Sequence, residues 1–506
     1  MSWLFSYRLE AKGREKMYLD ECVAGLLAYT KTKTGNPPIS SVEMDSRLVK
    51  AGALFVALRG FTVDGHHYVR EAVEKGAAAV VAEEALEIDV PVIVVTDTKR
   101  ALAQMSSRFY GRPTHDLNII GVTGTNGKTT TTHLLDEIFR EDERKTGLIG
   151  TLYTKYNDEV LEAKLTTPES VQLQQTFADM KKADVTDVTM EVSSHALSLG
   201  RVRGTDFNIA VFTNLSTDHL DYHETMDDYK QAKGLLFSQL GNTYDKDLRA
   251  AIINNDDPYA RYMMSVTGVP ILTYGLQAGA DVRARDLNAG PTGTFFTLEV
   301  GGESLDLNLK MIGRFSVYNA LAAAAAAYVS GVALPTIKKS LESAQAIPGR
   351  FEPVEEGQDF AVIVDYAHTS DSLDNILQTV RDLTAHNVYV VVGCGGDRDR
   401  TKRPEMARIA IEYADEAIFT SDNPRSEDPG AILRDMEAGV GAHTYQTISD
   451  RRAAIRYAVD KAKKKDVIVI AGKGHEPYQE IEGVFHSFDD RVEAKEAIHD
   501  RRDRET

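Results

Sequence analysis

The apolar run Leu117-Asn-Ile-Ile-Gly-Val leads straight into Gly124-Thr-Asn-Gly-Lys-Thr-Thr, and then into the helical pattern Thr131-Thr-His-Leu-Leu-Asp-Glu-Ile-Phe. Strand, glycine-rich turn and helix in that order make a phosphate-binding loop. Glycines let backbone N–H groups approach phosphate at a helix N-terminus, a lysine bridges the outer phosphates, and a hydroxyl serves magnesium. Gly124, Thr125, Asn126, Gly127, Lys128, Thr129 and Thr130 are the candidate lining, with Lys128 as the bridging cation and Thr129 as the metal-facing hydroxyl. The spacing departs from the usual Walker A form, which has glycine where this chain has Val122, flanked by Gly121 and Gly124. The alternative is a glycine-rich turn with a fortuitous lysine, and Gly-Lys-Thr-Thr between a strand and a helix outweighs it. A nucleoside triphosphate is therefore expected, although such a loop alone serves kinases, switches and motors equally well.

The rest of the chain repeats the same alternation. Short β-branched runs end in glycine-bearing turns with helical patterns between them, which predicts an α/β fold. With 506 residues the chain exceeds one core, so two to four domains are expected. The runs fall into three groups, 17–114, 115–345 and 346–506, preceded by a polar extension over 1–16. The alanine run 322–327 reads as a close-packed helix rather than low complexity. A formal net charge of -18 with no basic block argues against a nucleic-acid partner. No apolar run approaches the ~20 residues of a membrane span and the N-terminus lacks an export signal, so a cytosolic protein with no integral membrane association is expected. The two cysteines, Cys22 and Cys394, cannot build a disulfide framework or a zinc cluster and read as buried small residues.

Farther motifs narrow the chemistry. Glu191-Val-Ser-Ser-His closes an apolar strand where a phosphate-loop protein places its second magnesium carboxylate. Asn214-Leu-Ser-Thr-Asp-His219 follows another strand, and a helical stretch from Asp227 carries Lys230 and Lys233. Together with Gly313-Arg-Phe-Ser-Val-Tyr-Asn, Pro348-Gly-Arg-Phe-Glu and Asp365-Tyr-Ala-His, these motifs resemble, in order and spacing from about residue 40 onward, the Mur ligases.

The resemblance implies three α/β domains: an N-terminal one for a UDP-sugar substrate, a central P-loop ATPase with a mainly parallel sheet, and a C-terminal Rossmann-like one for an incoming amino acid. It implies ATP and two magnesium ions. Thr129 and Glu191 would hold the first; His219 and Lys233, carbamylated by carbon dioxide, the second. Lys128, Glu191, His219, Lys233 and Arg350 would be catalytic, with Asn319, Arg350, Asp365 and His368 on the nucleotide side. Ser46, Phe61, Thr62, Val63, Thr166, Thr167, Ser193 and Arg201 would contact the UDP-linked substrate, although turn capping alone would also account for such serines and threonines. Some family members have an asparagine and a glutamine where this chain has Leu165 and Leu199.

Cys394-Gly-Gly-Asp-Arg-Asp-Arg, Ser421-Asp-Asn-Pro-Arg and Ala471-Gly-Lys-Gly-His-Glu each follow an apolar strand, where open α/β sheets bind their ligands. The resemblance assigns Arg398, Asp422, Asn423, Pro424, Arg425, Gly472 and Glu476 to the amino acid. The resemblance implies addition to UDP-N-acetylmuramoyl-L-alanyl-D-glutamate through an acyl phosphate, and because an arginine fork suits a distal carboxylate, meso-diaminopimelate is expected rather than L-lysine. A turn built on Asp-Asn-Pro is the simpler alternative for that loop. An L-lysine-adding ligase, a folylpolyglutamate synthetase-like ligase and a non-catalytic nucleotide switch are the competing functions, and a monomer is expected.

Overall fold

The computed structural model describes residues 17–60, 63–241, 249–290, 293–441 and 443–505, so the expected extension over 1–16 and the candidates Phe61 and Thr62 lie outside the described residues. The chain is α/β throughout and forms two compact units.

The first unit contains the described residues up to 117 together with 168–183 and 196–206. Ser41–Glu43, Ala53–Val56, Ala79–Ala82 and Val92–Val94 form a parallel sheet, with Thr30–Lys31 antiparallel at its edge. Ala53–Val56 and Ala79–Ala82 are buried along their whole length. Apolar cover on both faces explains why they read as unbroken apolar runs rather than alternating ones.

Among the described residues the second unit holds two large sheets and a two-stranded hairpin, Tyr478–Ile481 with Val484–Ser487. In the larger, Thr146–Ile149, Asp187–Glu191, Asn118–Thr123, Ile209–Phe212, Ala250–Asn254, Ile271–Gly275 and Val282–Gly290 lie side by side in that order, all parallel, with antiparallel strands beyond each edge. The phosphate-loop strand Asn118–Thr123 is thus central, and the strands carrying Glu191 and Asn214 flank it. The helix Arg314–Val329 packs on the helix Lys128–Glu141, with Ala320 and Ala322–Ala327 in the core. Methyl side chains let the two helices approach closely, which is the role expected of the alanine run.

The smaller sheet orders Glu352–Pro353, Ala361–Asp365, Val467–Ala471, Val388–Val392, Glu416–Phe419 and Tyr445–Thr447, and only the first strand is antiparallel. The last of this sheet's strands in chain order, Val467–Ala471, inserts between the first two parallel ones. This brings the loops that leave Asp365, Val392, Phe419 and Ala471 to one end of the sheet. Arg451 and Asp490, both fully buried, pair through two 2.7 Å bonds behind these ends, and Arg451 also donates to the Ala471 carbonyl at 3.0 Å.

Candidate active site

The phosphate loop is held in shape by its neighbours. The Asn126 amide N–H donates to Asn214 Oδ1 (2.9 Å), and Thr213 Oγ1 donates to the Asn126 carbonyl (2.6 Å). Asn214 therefore braces the loop, which explains its place in a motif. Gly124 and Gly127 have φ of +153° and +84°; a Cβ would lie 1.8 Å from Thr213 Oγ1 on the first and 2.3 Å from Asn319 Oδ1 on the second. Both positions need glycine for space as well as conformation. Gly121, by contrast, lies within the strand and faces the Phe207 ring, so it serves packing rather than the loop.

Two buried lysines converge here. Lys128 Nζ donates to the Gly124 and Thr125 carbonyls at 2.9 and 2.7 Å, and Lys233 Nζ, on the helix Met226–Ser238, donates to the same Gly124 carbonyl at 2.8 Å. Burial, partly offset by Glu191 and Asp218, holds the Lys128 ammonium below its ordinary pKa. Burial, and then the charge of Lys128, holds Lys233 well below its own. Two lysine side chains that converge on one carbonyl make a place suited to negative charge, which a polyphosphate supplies. Lys230, the neighbouring lysine on the same helix, instead pairs with Asp227.

Thr129 Oγ1 donates to Glu191 Oε2 at 3.0 Å, and Arg350 Nη2 donates to Thr129 Oγ1 at 3.1 Å. Glu191 also accepts from the Thr151 amide (2.8 Å) and hydroxyl (3.1 Å). His219 lies in the left-handed region (φ 56°), its ring edge-on to His195, and burial holds its pKa well below the ordinary imidazole value. Its ring and the Lys233 ammonium both border Tyr229, 6.0 and 4.4 Å from that ring's centre. Asp365 Oδ2 accepts from the Phe351 amide at 2.7 Å, so this carboxylate braces the turn that presents Arg350. His368 Nδ1 bonds the Tyr366 carbonyl (2.8 Å), and burial lowers its pKa to about 4.

Among the residues named for the UDP-linked substrate, Ser46, Val63 and Arg201 belong to the first unit; Thr166, Thr167 and Ser193 belong to the second. Ser46 Oγ donates to Glu71 (3.2 Å) and Arg201 pairs with Glu169 (2.7 Å). Thr167 Oγ1 donates to the Glu191 carbonyl (2.8 Å) and accepts from the Ser193 amide (3.1 Å), while Thr166 and Thr151 share a 3.1 Å hydroxyl bond. Leu165 is exposed and Leu199 half-buried.

At the end of the smaller sheet, Asn423 is the hub. Its side-chain N–H donates to Glu476 Oε2 (2.8 Å), and its carbonyl oxygen accepts from Lys473 Nζ (2.8 Å) and the Glu480 amide (3.0 Å). Arg425 has φ +52°, unusual for a side-chain-bearing residue, and is locked there by backbone bonds to Glu480 (3.0 Å) and Glu482 (2.7 Å). Its guanidinium meets Glu480 at 3.2 Å and the Gly396 carbonyl at 2.6 Å. A Cβ on Gly472 would lie 2.6 Å from Asp422 Oδ2. Arg398 is exposed one loop away. Glu476 sits above its ordinary pKa because of burial and then Asp422. Cys22 and Cys394 are free and buried, with thiols pushed up to about 12.

Sequence reasoning passed over Lys473 and Glu480, and also Asp218, Lys402, Tyr366 and Asp371. Asp218 sits beside His219 and 3.9 Å from Lys402 of the smaller-sheet region; Asp371 accepts from Asn126 Nδ2 at 2.7 Å. Both links span more than 180 positions and leave no local signal. Lys473, Tyr366 and Asp218 stood inside quoted motifs, where a charged or aromatic residue buried beside others was the available clue.

A phosphate loop shares a compact unit with a second parallel sheet whose strand-end loops gather paired charges, an arrangement suited to a nucleotide-driven ligase. Sequence profiles described as Mur ligase family, catalytic domain; Mur ligase middle domain; and Mur ligase, glutamate ligase domain match residues 38–110, 122–327 and 349–474. UDP-N-acetylmuramoyl-L-alanyl-D-glutamate--2,6-diaminopimelate ligase of Halalkalibacterium halodurans is 57% identical over 94% of this chain and 98% of its own. The protein of that name from Geobacillus thermodenitrificans is 54% identical over 96% and 100%. A solved structure with this enzyme name superimposes at TM-score 0.69 and 35% identity, covering 96% of this chain and all of that one. The chain belongs to the Mur ligase family and is an ATP-dependent ligase that forms a carbon–nitrogen bond.

Proposed function

We propose that this ligase joins meso-diaminopimelate to UDP-N-acetylmuramoyl-L-alanyl-D-glutamate, releasing the UDP-tripeptide, ADP and phosphate for peptidoglycan synthesis. Relatives named for that pair of substrates are 49–57% identical to it. The γ-phosphoryl of ATP passes to the substrate carboxylate; the amine of the amino acid then attacks the acyl phosphate, and phosphate leaves as the amide forms. Such transfers need no protein nucleophile and rest on positioning and charge neutralisation. Lys128 and Arg350 supply fixed positive charge beside Thr129. Ser46, Phe61, Thr62, Val63, Thr166, Thr167, Ser193 and Arg201 take the UDP-linked substrate in this reading.

Among the described residues, no group of three or more His, Cys, Asp or Glu side chains is placed to hold a metal. Magnesium suits such a site, because it keeps waters and phosphate oxygens and asks the protein for one or two ligands. The touching pair Thr129 and Glu191 fits one ion, and His219 with Lys233 fits a second once Lys233 carries a carbamate. Lowering a lysine's pKa favours the amine form, which is the form that adds carbon dioxide, and the adduct replaces a repelling charge with hard oxygens. When bound, the ions offset the charge that builds on the transferring phosphoryl group. The reading takes the chain to work in the cytosol as a monomer; among the described residues, no helix is long and apolar enough to cross a membrane.

The observation that carries the choice of amino acid is the Asp422–Arg425 loop. Its one cation is held in a strained backbone conformation at the sheet end and touches a carboxylate, Glu480. A distal carboxylate distinguishes diaminopimelate from L-lysine, and a planar guanidinium grips it bidentately. The folylpolyglutamate alternative has a solved neighbour from Mycobacterium tuberculosis that covers 73% of this chain at 18% identity, which speaks for shared fold alone. Truncating one partner of a buried, hydrogen-bonded charge pair costs about 2–5 kcal/mol. Arg425→Ala is therefore expected to lower kcat/KM for diaminopimelate by at least ~30-fold, at ~1.4 kcal/mol per tenfold, with KM for ATP little changed. Steady-state kinetics check this, and an unaltered preference for diaminopimelate over lysine in the variant would remove the loop from its assigned role.

A further inference from the structure

We infer that Tyr366 is a positioning residue with two separable duties, its ring face setting the phosphate-side arginine and its hydroxyl setting the amino-acid-side glutamate. This rests on the reading of Arg350 and Glu476 given above. Tyr366 is the first residue beyond the strand Ala361–Asp365, and its amide donates to the Gly349 carbonyl at 2.9 Å, which places its ring beside the Arg350 turn. The Arg350 guanidinium lies over that ring, 4.7 Å from its centre, while its Nη2 reaches Thr129. His368 stands edge-on to the ring at 4.7 Å, and His475 packs against it at 5.1 Å. On the other side, the hydroxyl donates to Glu476 Oε1 at 3.4 Å, while Glu476 Oε2 is taken by Asn423 (2.8 Å) and Lys473 (3.2 Å).

One continuous set of contacts thus runs from Thr129 through Arg350, Tyr366 and Glu476 to Asn423. The guanidinium has freedom about its long stem, and the flat electron-rich face restricts it to one plane. Glu476 has two oxygens and three donors, and the Tyr366 hydroxyl is the one donor that comes from the nucleotide side. Among the described residues, its hydroxyl bond and ring contacts go to Glu476, Arg350, His368 and His475, so its influence on the reaction passes through its neighbours.

Two substitutions divide the duties. Tyr366→Phe keeps the ring and removes the hydroxyl. It is expected to raise KM for diaminopimelate about tenfold, the loss of one hydrogen bond to a charged group, with a much smaller change in kcat and in KM for ATP. Tyr366→Leu removes both. It is expected to raise KM for diaminopimelate by the same factor and in addition to lower kcat about five- to tenfold, the loss of a partly buried cation–π contact. Melting temperature is measured for each variant, and Arg425→Ala and Arg350→Lys are run beside them.

An amino-acid KM unmoved by Tyr366→Phe overturns the hydroxyl's duty, and Tyr366→Leu behaving like Tyr366→Phe overturns that of the ring. KM for ATP and for diaminopimelate rising together with a lowered melting temperature marks a merely structural residue and overturns both. If Arg425→Ala leaves the amino-acid KM unmoved while Tyr366→Phe still raises it, the loop assignment fails and the tyrosine inference stands; if neither moves it, both fail.

Discussion

Lys128→Ala is expected to lower ADP release by about 100- to 1000-fold, the scale seen when one preorganised donor to developing charge is removed from an active site. Lys128 is buried and its ammonium donates to two loop carbonyls, 2.9 and 2.7 Å away; among the described residues no carboxylate forms an ion pair with it. That arrangement is unfavourable until phosphate arrives, and burial already holds its pKa down. The variant should fold about as stably as the parent, since it loses a buried charge that Glu191 and Asp218 offset only in part. Binding of the UDP-linked substrate, measured by calorimetry without ATP, should be largely kept. Loss of both ATP turnover and that binding would point to misfolding rather than to a phosphate contact.

Lys233→Ala is expected to cost about 100-fold or more in turnover, because a carbamate oxygen set that steadies a metal contributes several kcal/mol at ~1.4 kcal/mol per tenfold. Small carboxylates offered to the variant should restore at least about tenfold of the loss, by placing hard oxygens in the space the side chain leaves. The geometry makes this specific. Lys233 is buried, reaches the Gly124 carbonyl and shares the Tyr229 ring with His219, whereas Lys230 is tied to Asp227. Lys230→Ala should accordingly leave turnover near the parent's. Near-normal activity in Lys233→Ala, or a defect that formate and acetate leave untouched, contradicts the carbamate.

How much of this was legible in the sequence divides along one physical line. Features set by contiguous residues could be read: the strand–loop–helix at 118–141, the close-packed alanine helix, and three strand-end loops in the last third of the chain. Periodicity and glycine placement report on such features directly. Features made by chain crossings could not. Thr129 and Arg350 are 221 positions apart, and Asn126 and Asp371 are 245 apart. Nothing near either residue marks its partner. Lys233 became a candidate only through family resemblance, since a lysine on a helix reads locally as a solvated one, and its convergence with Lys128 on one carbonyl left no sequence signal. Arg451 and Asp490 show the same blindness in the opposite sense: both would be read as surface charges, yet neither exposes any side-chain area and together they fix the ends of two site-bearing strands. The resemblance puts Asp365 on the nucleotide side; that one of its carboxylate oxygens also takes the Phe351 amide is visible only once the turn at 347–351 is folded.

The central claim, that a phosphate loop here drives amide formation between a UDP-linked dipeptide and one particular diamino acid, is tested most directly by one measurement. ADP release is followed with ATP, magnesium and UDP-N-acetylmuramoyl-L-alanyl-D-glutamate across a panel holding meso-diaminopimelate, L-lysine, L-ornithine and D-alanyl-D-alanine, with a folate and glutamate pair as a further arm. The account predicts release that depends on both the UDP-linked substrate and an amino acid, with kcat/KM for meso-diaminopimelate at least ~30-fold above that for L-lysine, the same charge-pair scale that sets the Arg425 effect. Equal use of lysine and diaminopimelate, or ADP release stimulated by the folate pair and not by the UDP-linked dipeptide, would contradict it.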